Sequence, residues 1–463
     1  MPAPINPNSD YYLMNCLNIK INERLWNKSN NLKFISGFRN IFKVFFIILI
    51  FAIPCKIYSQ DITTEGTDFW FGFMENHATS EIKLEIYISA RDSTGGVVSI
   101  PLAGWSQAFS VNDNTTTLVT VPTDIAMAQG SGLVENKGIH IQSEGIVSVY
   151  ALNSRSRSAD ATVVLPTPAL GKTYFATSYK GLNPSRFSEL MIVAVADDTQ
   201  VEVTPTQRTT DGHIAGTAYT VSLDSGQVIQ IQSNNDLTGT RIKAAGSCKP
   251  FAVFSGNEWT NVGNCGGAQD HLFEQMFPVG AWGKSFATVP FKTRLGGDEF
   301  KIVAASDQTT VEMAGEPPFI LNEGEFVSRL LSSPTIITAD KPIQIAQFSR
   351  SQSCDNQQGD PFMVQLSPIE QSLKKITYNA PNVTVLNRYY TNIITRTDAV
   401  ADLLFDGLAI EGSFSVYDNN PDYAYAQLDI SIGNHTIESS SGFAAYVYGY
   451  GDIESFGYST GAR

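Results

Sequence analysis

Along most of the chain, hydrophobic and polar residues alternate with a period of two. Segments such as EIKLEIYISA (81–90), GIVSVYALN (145–153) and QVIQIQS (227–233) alternate in this way or are rich in β-branched and aromatic residues. Gly, Asn, Asp and Pro separate these segments every eight to twelve residues, as turns separate short strands. The pattern predicts an all-β protein with two short helical candidates, DHLFEQM (270–276) and SPIEQSL (367–373).

The strand pattern also repeats within the chain. IVAVADDTQVEV (192–203) aligns with IVAASDQTTVEM (302–313) at an offset of 110 residues, which predicts units of roughly 90–110 residues present about four times. Three aspartates recur in the same comparison, each followed by a proline eight positions later: Asp160 and Pro168, Asp270 and Pro278, Asp360 and Pro368. A carboxylate before a short turn accepts backbone N–H bonds, so we interpret these aspartates as structural.

The number of short strands in each repeat, about six or seven, favours sandwich-like units over four-stranded propeller blades. A β-propeller-like ring of units is the alternative. The first segment, GTDFWFGFMEN (66–76), and the last, SGFAAYVYGYGDIESFGYSTG (441–461), each resemble the opening strand of a unit, so a partial unit stands at each end. We therefore expect the N- and C-terminal strands to close the assembly, which would hide sheet edges that invite aggregation.

The first 60 residues differ from the rest. The apolar run VFFIILIFAIP (44–54) follows several basic residues, a pattern typical of a secretory signal peptide, with cleavage predicted near Ser59 or Gln60. The run is shorter than the about 20 residues that span a bilayer, and an N-terminal membrane anchor is the alternative. We divide the chain into an N-terminal extension with signal peptide (1–60) and a β-repeat domain (61–463) that is secreted or on the cell surface.

The β-repeat domain is strongly acidic. The whole chain has a net charge of −14, and without residues 1–60 it has 24 Lys and Arg against 43 Asp and Glu, a net charge of −19. Such a surface repels nucleic acid and anionic membranes, because it has no basic patch to displace the counterions of phosphates. We therefore expect no nucleic-acid partner and no stable membrane insertion of the mature chain.

Three cysteines follow the signal segment: Cys248, Cys265 and Cys354. One disulfide is expected in an oxidising compartment, and all three pairings are open. We favour a bond between Cys248 and Cys265, which would close a short loop.

Six segments together resemble a known protein family. They are GTDFWFGFMEN (66–76), DLTGTRI (236–242), PFAVFSGN (250–257), DHLFEQMFPVGAWGKSF (270–286), CDNQQGDPFMVQLSPIEQ (354–371) and GFAAYVYGYGDIESFGYSTG (442–461). From about Thr63 to Gly461 the chain resembles the N-terminal domain of the IgGFc-binding protein family, and DHLFEQ followed by WGK is the most specific part. The resemblance implies an extracellular binding or adhesion module.

Asp270, His271 and Glu274 lie within five residues of one another, as metal ligands or catalytic groups do. However, none of the five histidines forms HExxH or another recognised ligand spacing, and His271 and Glu274 do not recur in the other repeats. We predict no metal site, no cofactor and no catalytic residue. A buried hydrogen-bonded pair is the favoured interpretation of His271 and Glu274, and contact with a partner is the alternative.

The loops ahead of the three aspartates occupy equivalent places and differ in length and chemistry. Loops on a rigid scaffold commonly carry binding sites, and Arg and Trp are enriched at binding hot spots. The candidate ligand contacts are Arg155, Arg157, Trp259 and Arg350, with His271 and Glu274 as further candidates.

These observations favour a non-enzymatic protein that binds an extracellular protein or glycan, for example of the mucin type. One alternative is a hydrolase of extracellular polymers that uses Asp270 and Glu274 as acid and base. A structural component of a surface assembly is another. Convergence of the three aspartate loops on one face would favour a shared binding site.

Overall fold

The computed structural model describes residues 63–77, 81–182, 185–246 and 248–462, and all structural statements concern these residues. The predicted signal peptide and its cleavage site lie outside them. Strands dominate the described residues, so the all-β prediction is confirmed. No helix among them combines the length and apolar character needed to cross a membrane.

The strands follow one another in four groups. The first group contains β1 (Glu65–Phe71), β2 (Lys83–Ala90), β3 (Thr94–Ile100), β4 (Trp105–Val111), β5 (Thr115–Val121), β6 (Val134–Glu135), β7 (Ile139–Arg155) and β8 (Ser158–Val164). The second contains β9 (Thr173–Phe175), β10 (Ser188–Ala194), β11 (Thr199–Thr204), β12 (Tyr219–Leu223), β13 (Val228–Ser233), β14 (Arg241–Ala244), β15 (Phe251–Thr260) and β16 (Asp270–Gln275).

The third group contains β17 (Gly283–Thr288), β18 (Asp298–Ala304), β19 (Thr309–Met313), β20 (Phe319–Leu321), β21 (Phe326–Leu331), β22 (Thr335–Phe348) and β23 (Met363–Gln365). The fourth contains β24 (Leu373–Ala380), β25 (Leu386–Arg396), β26 (Leu404–Phe405), β27 (Leu408–Ala409), β28 (Phe414–Tyr417), β29 (Asn420–Ile430), β30 (Gly433–Gly451) and β31 (Glu454–Ser459).

Helical structure in the described ranges is limited to short turns. These are one α-helix, α1 (Thr123–Ala126), and the 3-10 turns Pro101–Ala103, Thr167–Ala169, Val279–Ala281, Gln352–Cys354, Ile369–Gln371, Thr397–Asp402 and Glu411–Ser413. Both predicted helices are wrong, because DHLFEQM forms β16 and SPIEQSL holds only a 3-10 turn before β24. Every residue of β16 is buried, so its sequence lacks the period of a half-exposed strand, and pairing with β15 fixes its conformation.

One strand topology recurs in the four groups. In the first group, β7 pairs through its first half with β1 and β3 and through its second half with β2 and β8. Strands β22 and β30 do the same in the third and fourth groups. In the second group two strands share this role: β14 pairs with β9 and β11, and β15 pairs with β10 and β16. In each group, one long strand or a pair of consecutive strands pairs with strands of both layers. Each group therefore forms a sandwich-like unit.

The last strands of the four groups, β8, β16, β23 and β31, meet at the centre of the molecule. β8 contacts β16 and β31, and β23 contacts the same two strands. Hydrogen bonds cross these contacts, for example from the Gln275 N–H to Thr162 Oγ1 (2.8 Å) and from the Gln365 N–H to Glu274 Oε1 (3.2 Å). We call these four strands the central ring. The sandwich-like units are thus arranged as a ring. The structure combines the sandwich-like units of the favoured prediction with the ring of units of the alternative.

Hydrophobic clusters join each group to the next around the central ring. Aromatic pairs across the four junctions are Phe73 with Phe273, Tyr179 with Phe348, Phe362 with Tyr448, and Tyr458 with Tyr150. The two ends of the described chain also meet, because the Thr64 N–H donates to the Ala462 carbonyl at 3.0 Å. The prediction that the terminal segments close the assembly is therefore confirmed.

The predicted disulfide between Cys248 and Cys265 is wrong. Cys265 is bonded to Cys354, and their Cα atoms are 5.2 Å apart. Cys248 precedes the ten-residue strand β15 and Cys265 follows it, so about 30 Å of extended strand lies between them. Cys265 and Cys354 lie in the loops before β16 and β23, which are neighbours in the central ring.

Candidate binding site on the loop face

Four loops lead into the central ring, and they gather at the same end of it. They are residues 156–157 before β8, 261–269 before β16, 349–362 before β23 and 452–453 before β31. We call this end of the molecule the loop face. Residues of all four loops line one depression of about 580 Å³, so the three aspartate loops converge and a fourth loop joins them.

Three of the predicted contact residues line this depression: Arg155, Arg157 and Trp259. His77, Gln269 and Ile453 also line it, and Gln269 accepts the indole N–H of Trp259 at 2.6 Å. Arg350 lies on the third loop outside the depression, where its guanidinium donates to the carbonyl of Gly296 (3.2 Å).

A polar network holds the wall of the depression in place. The imidazole of His77 lies against the indole of Trp259, with ring centroids 3.6 Å apart. An Arg155 guanidinium N–H donates to His77 Nε2, so Nδ1 carries the proton and donates to Asn76 Oδ1 (3.0 Å). Burial first, and then the charges of Arg155 and Arg186, lower the pKa of His77 to about 4. The ring is therefore neutral at pH 7 and packs against the indole at an interplanar angle of 35°.

Arg155 retains an unused hydrogen-bond donor. Its Nη1 serves His77, whereas its Nε is buried and has no partner among the described residues. A buried donor without an acceptor costs about 1–3 kcal/mol. Guanidinium groups pair best with carboxylates, so the accessible part of Arg155, together with the exposed Arg157, fits an acidic group of a ligand.

His271 lies behind the depression rather than in it. It is fully buried on β16, where Nδ1–H donates to the Asn257 carbonyl (2.9 Å) and Nε2 accepts from Asn153 Nδ2 (3.2 Å). Burial lowers the pKa of His271 to about 3, so it is neutral. Asn153 precedes Arg155 by two positions and Asn257 precedes Trp259 by two, so His271 connects the strands that present both contact residues.

Glu274 is also buried, with hydrogen bonds to β8 and β23. Its carboxylate accepts from Thr162 Oγ1 (2.6 Å) and from the Gln365 N–H (3.2 Å), and burial raises its pKa well above the usual range. Asp270 is equally buried. The acid and base that the hydrolase hypothesis requires are thus both inaccessible to a polymer in this structure.

The strand registers show that the first group aligns with the second two residues earlier than the sequence repeat predicts. Asn153 pairs with Asp160, whereas Asn257, in the matching place, pairs with Leu272. Ser158, rather than Asp160, therefore lies at the position of Asp270. The same shift places Pro166 instead of Pro168 directly before a 3-10 turn, where the second and third groups have Pro278 and Pro368.

Asp160 and Asp270 each accept the N–H of the next residue through Oδ1 (2.9 and 2.7 Å), and through Oδ2 each accepts an N–H from a neighbouring strand of the central ring. Asp160 Oδ2 accepts from the Phe273 N–H (2.9 Å), and Asp270 Oδ2 accepts from the Ala159 N–H (3.2 Å). The carboxylates therefore join groups instead of capping turns within one group. Asp360 accepts from Ser455 Oγ at 2.6 Å, which joins the third group to the fourth.

Sequence reasoning missed His77 and the fourth loop. His77 is far from the other contact residues in the sequence, so only the pairing of distant strands brings it to the depression. The fourth loop could have been found, because Glu454 lies five residues before the last residue of β31, as Asp360 does in β23. The closing stretch was matched to the opening strand instead.

A closed ring of β-sandwich units with its variable loops gathered on one face is the architecture of a rigid scaffold that displays a binding surface. Residues 160–449 match the family described as IgGFc binding protein, and the chain belongs to this family, as its sequence predicts. The human protein named IgGFc-binding protein is 26% identical over 430 residues, which cover 87% of this chain and 8% of that protein. The chain thus spans a small part of the length of its relative.

Proposed function

We propose that this chain is a secreted, non-enzymatic protein that binds a partner outside the cell through its loop face. The observation that carries the proposal is the convergence of four loops on one depression lined by Arg155, Arg157 and Trp259. Trp and Arg in a depression supply the contacts that dominate protein interfaces. Family membership supports binding as the class of function, and the signal-like segment 44–54 supports export.

A protein partner with an acidic contact group is the favoured ligand. The half-buried Arg155 and the exposed Arg157 bring two guanidinium groups that can pair with a carboxylate to the depression, although the molecule as a whole is acidic. The human relative is named for binding the Fc part of immunoglobulin G, which makes Fc the first protein to test. A mucin-type glycan is the second candidate, because sialic acids and sulfated sugars would also offer anions to these arginines.

The test uses the mature chain, residues 61–463, immobilised for interferometry against human Fc and against a purified mucin with and without enzymatic removal of its glycans. We expect saturable binding that Arg155→Ala and Trp259→Ala each weaken at least tenfold, as hot-spot residues do. Arg396→Ala is the matched control, since Arg396 is exposed, lies on β25 and pairs only with Asp398 within the described chain.

Circular dichroism verifies that each variant is folded. Equal binding of wild type and both loop-face variants would contradict the proposed site. Loss of mucin binding after glycan removal would assign the ligand to the glycan instead of a protein.

A further inference from the structure

Three buried carboxylates meet where the loops enter the central ring. Asp270, Asp360 and Glu454 each stand five residues before the last residue of β16, β23 and β31, and Ser158 holds the equivalent position in the first group. One oxygen of each carboxylate lies within 4.8 Å of the oxygens of the other two. All three side chains are fully buried. One position of the repeat thus brings a carboxylate from three groups to the axis of the ring.

Several oxygens of this cluster have no hydrogen-bond partner. Asp360 Oδ2 and both Oε atoms of Glu454 are buried and unpartnered within the described ranges. Burial first, and then the charge of Asp360, raise the pKa of Glu454 to about 9; the backbone amides of Arg157, Ser158 and Ser455 oppose this rise, but none of them meets hydrogen-bond geometry. Burying a charged group without a partner costs several kcal/mol. The bare cluster is therefore incomplete as a structural element.

Neither protons nor the nearby arginine supplies the hydrogen bonds that the carboxylate cluster lacks. Protons would neutralise the carboxyls, whose pKa values burial raises, but Asp360 Oδ2 and both oxygens of Glu454 would still lack a hydrogen-bond partner in the described residues. Arg294 is the basic side chain that acts on Asp360, and its guanidinium is already paired with Asp355 at 3.1 Å. Asp160, the other acidic neighbour of Asp270, adds negative charge.

The donor set matches one class of ion. All donors are carboxylate oxygens, which select hard cations, whereas zinc sites in proteins use mainly Cys and His. Calcium binds six to eight oxygens at about 2.3–2.6 Å, so two of its ligands lie at most about 5 Å apart. The observed limit of 4.8 Å fits this range, and three carboxylates can supply up to six oxygens.

We propose that Asp270, Asp360 and Glu454 bind one hard divalent cation of the calcium class on the axis of the central ring. Glu454 also lines a surface depression of about 330 Å³, so the cluster lies close to the surface. The cation would join the second, third and fourth groups at the base of their loops. This inference does not depend on the proposed partner, because its test contains none.

The mature chain is first stripped with EDTA, and CaCl2 and MgCl2 are then titrated in by calorimetry and thermal denaturation. We expect one calcium ion per chain, a higher Tm in calcium, and weaker binding of magnesium. Asp360→Asn and Glu454→Gln keep the size of each side chain and remove its charge, so both should abolish calcium binding and the calcium-dependent rise in Tm.

Asp298→Asn is the matched control, because Asp298 is an equally buried carboxylate of the third group that accepts from the Phe291 N–H and lies outside the cluster. It should retain the full response to calcium. The inference is overturned if neither ion binds the stripped wild-type chain, or if Asp360→Asn and Glu454→Gln bind calcium as tightly as wild type does. Circular dichroism in EDTA shows that the variants are folded, so a lost response reports on the site.

Discussion

At the scale of single residues, the loop face depends on a side chain that does not line it. His271 has one hydrogen bond to the strand that carries Arg155 and one to the strand that carries Trp259. Its neighbours in the sequence made it look like a metal ligand. Its role could not be read from the sequence, because Asn153 and Asn257 lie on β7 and β15 and only the packing of β16 brings His271 between them.

Replacing His271 should therefore weaken the fold and the site together. His271→Phe fills the same space but leaves the Asn257 carbonyl without its donor, and we expect the free energy of unfolding to fall by about 2 kcal/mol. Urea denaturation measures this change. His213→Phe is the control, because His213 is partly exposed and stacks on Tyr219, and it should cost less than about 0.5 kcal/mol. A similar loss in both variants would contradict the role assigned to His271.

The pKa of His77 gives the site a defined response to acid. An ordinary histidine gains its proton near pH 6.5, whereas burial and the neighbouring arginines lower the pKa of His77 to about 4. A lowered pKa disfavours protonation of His77 in the folded state. The contribution of neutral His77 to the stability of the fold is therefore complete above pH 6.5 and is lost as the pH falls towards 4. NMR titration of His77 should show a midpoint near 4, and a midpoint at 6 or above would contradict the hydrogen bond from Arg155.

At the scale of the strands, how well the sequence pattern predicts an element depends on whether one or both of its faces are buried. β11 has one buried and one half-exposed face, so its alternation in TQVEVT is visible in the sequence. β16 is buried on both faces and shows no alternation, so its residues resembled a helix. The repeat in the sequence corresponds to a strand topology that recurs in the structure. Its first copy is offset by two residues from the sequence alignment, because that alignment rests on strands of the second and third groups.

The disulfide between Cys265 and Cys354 provides a prediction for the loops. It closes a loop with a sequence separation of 89 residues, and in the chain-entropy description a loop of this size gives about 4.6 kcal/mol of stability. Cys265→Ser and Cys354→Ser should each lower the free energy of unfolding by up to this amount, and the double variant should be no less stable than either. Peptide mapping without reduction should recover the linked pair of peptides, whereas a Cys248–Cys265 peptide would contradict the structure.

At the scale of the whole molecule, the ring makes the four groups dependent on one another. Each hydrophobic cluster is built from adjacent groups, so a single group lacks part of every core that it contributes to. The sequence predicted repeated sandwich-like units and the meeting of the two ends. It did not predict the central ring, because strands β8, β16, β23 and β31 contact one another through side chains whose partners lie about 90 or more residues apart.

This dependence predicts a single cooperative unfolding transition for the mature chain. Its calorimetric and van't Hoff enthalpies should agree, with a ratio of about 1. A truncated chain of residues 61–372, which lacks the fourth group, exposes two of the shared clusters and should not fold. A circular permutant that joins residues 63 and 462 through a short linker should fold, because these ends lie beside a direct hydrogen bond. Separate transitions for the groups would contradict the closed ring.

Hydrogen–deuterium exchange of the mature chain, measured with and without its bound partner, shows whether the loop face is the binding surface. Fc or the mucin, whichever binds in the interferometry, serves as the partner. If the partner binds the loop face, exchange should slow at 261–269 and 349–362 and in the turns at 156–157 and 452–453, with little change in the outer strands β4, β12, β20 and β28. Protection confined to those outer strands, with the four loops unchanged, would contradict binding at the loop face.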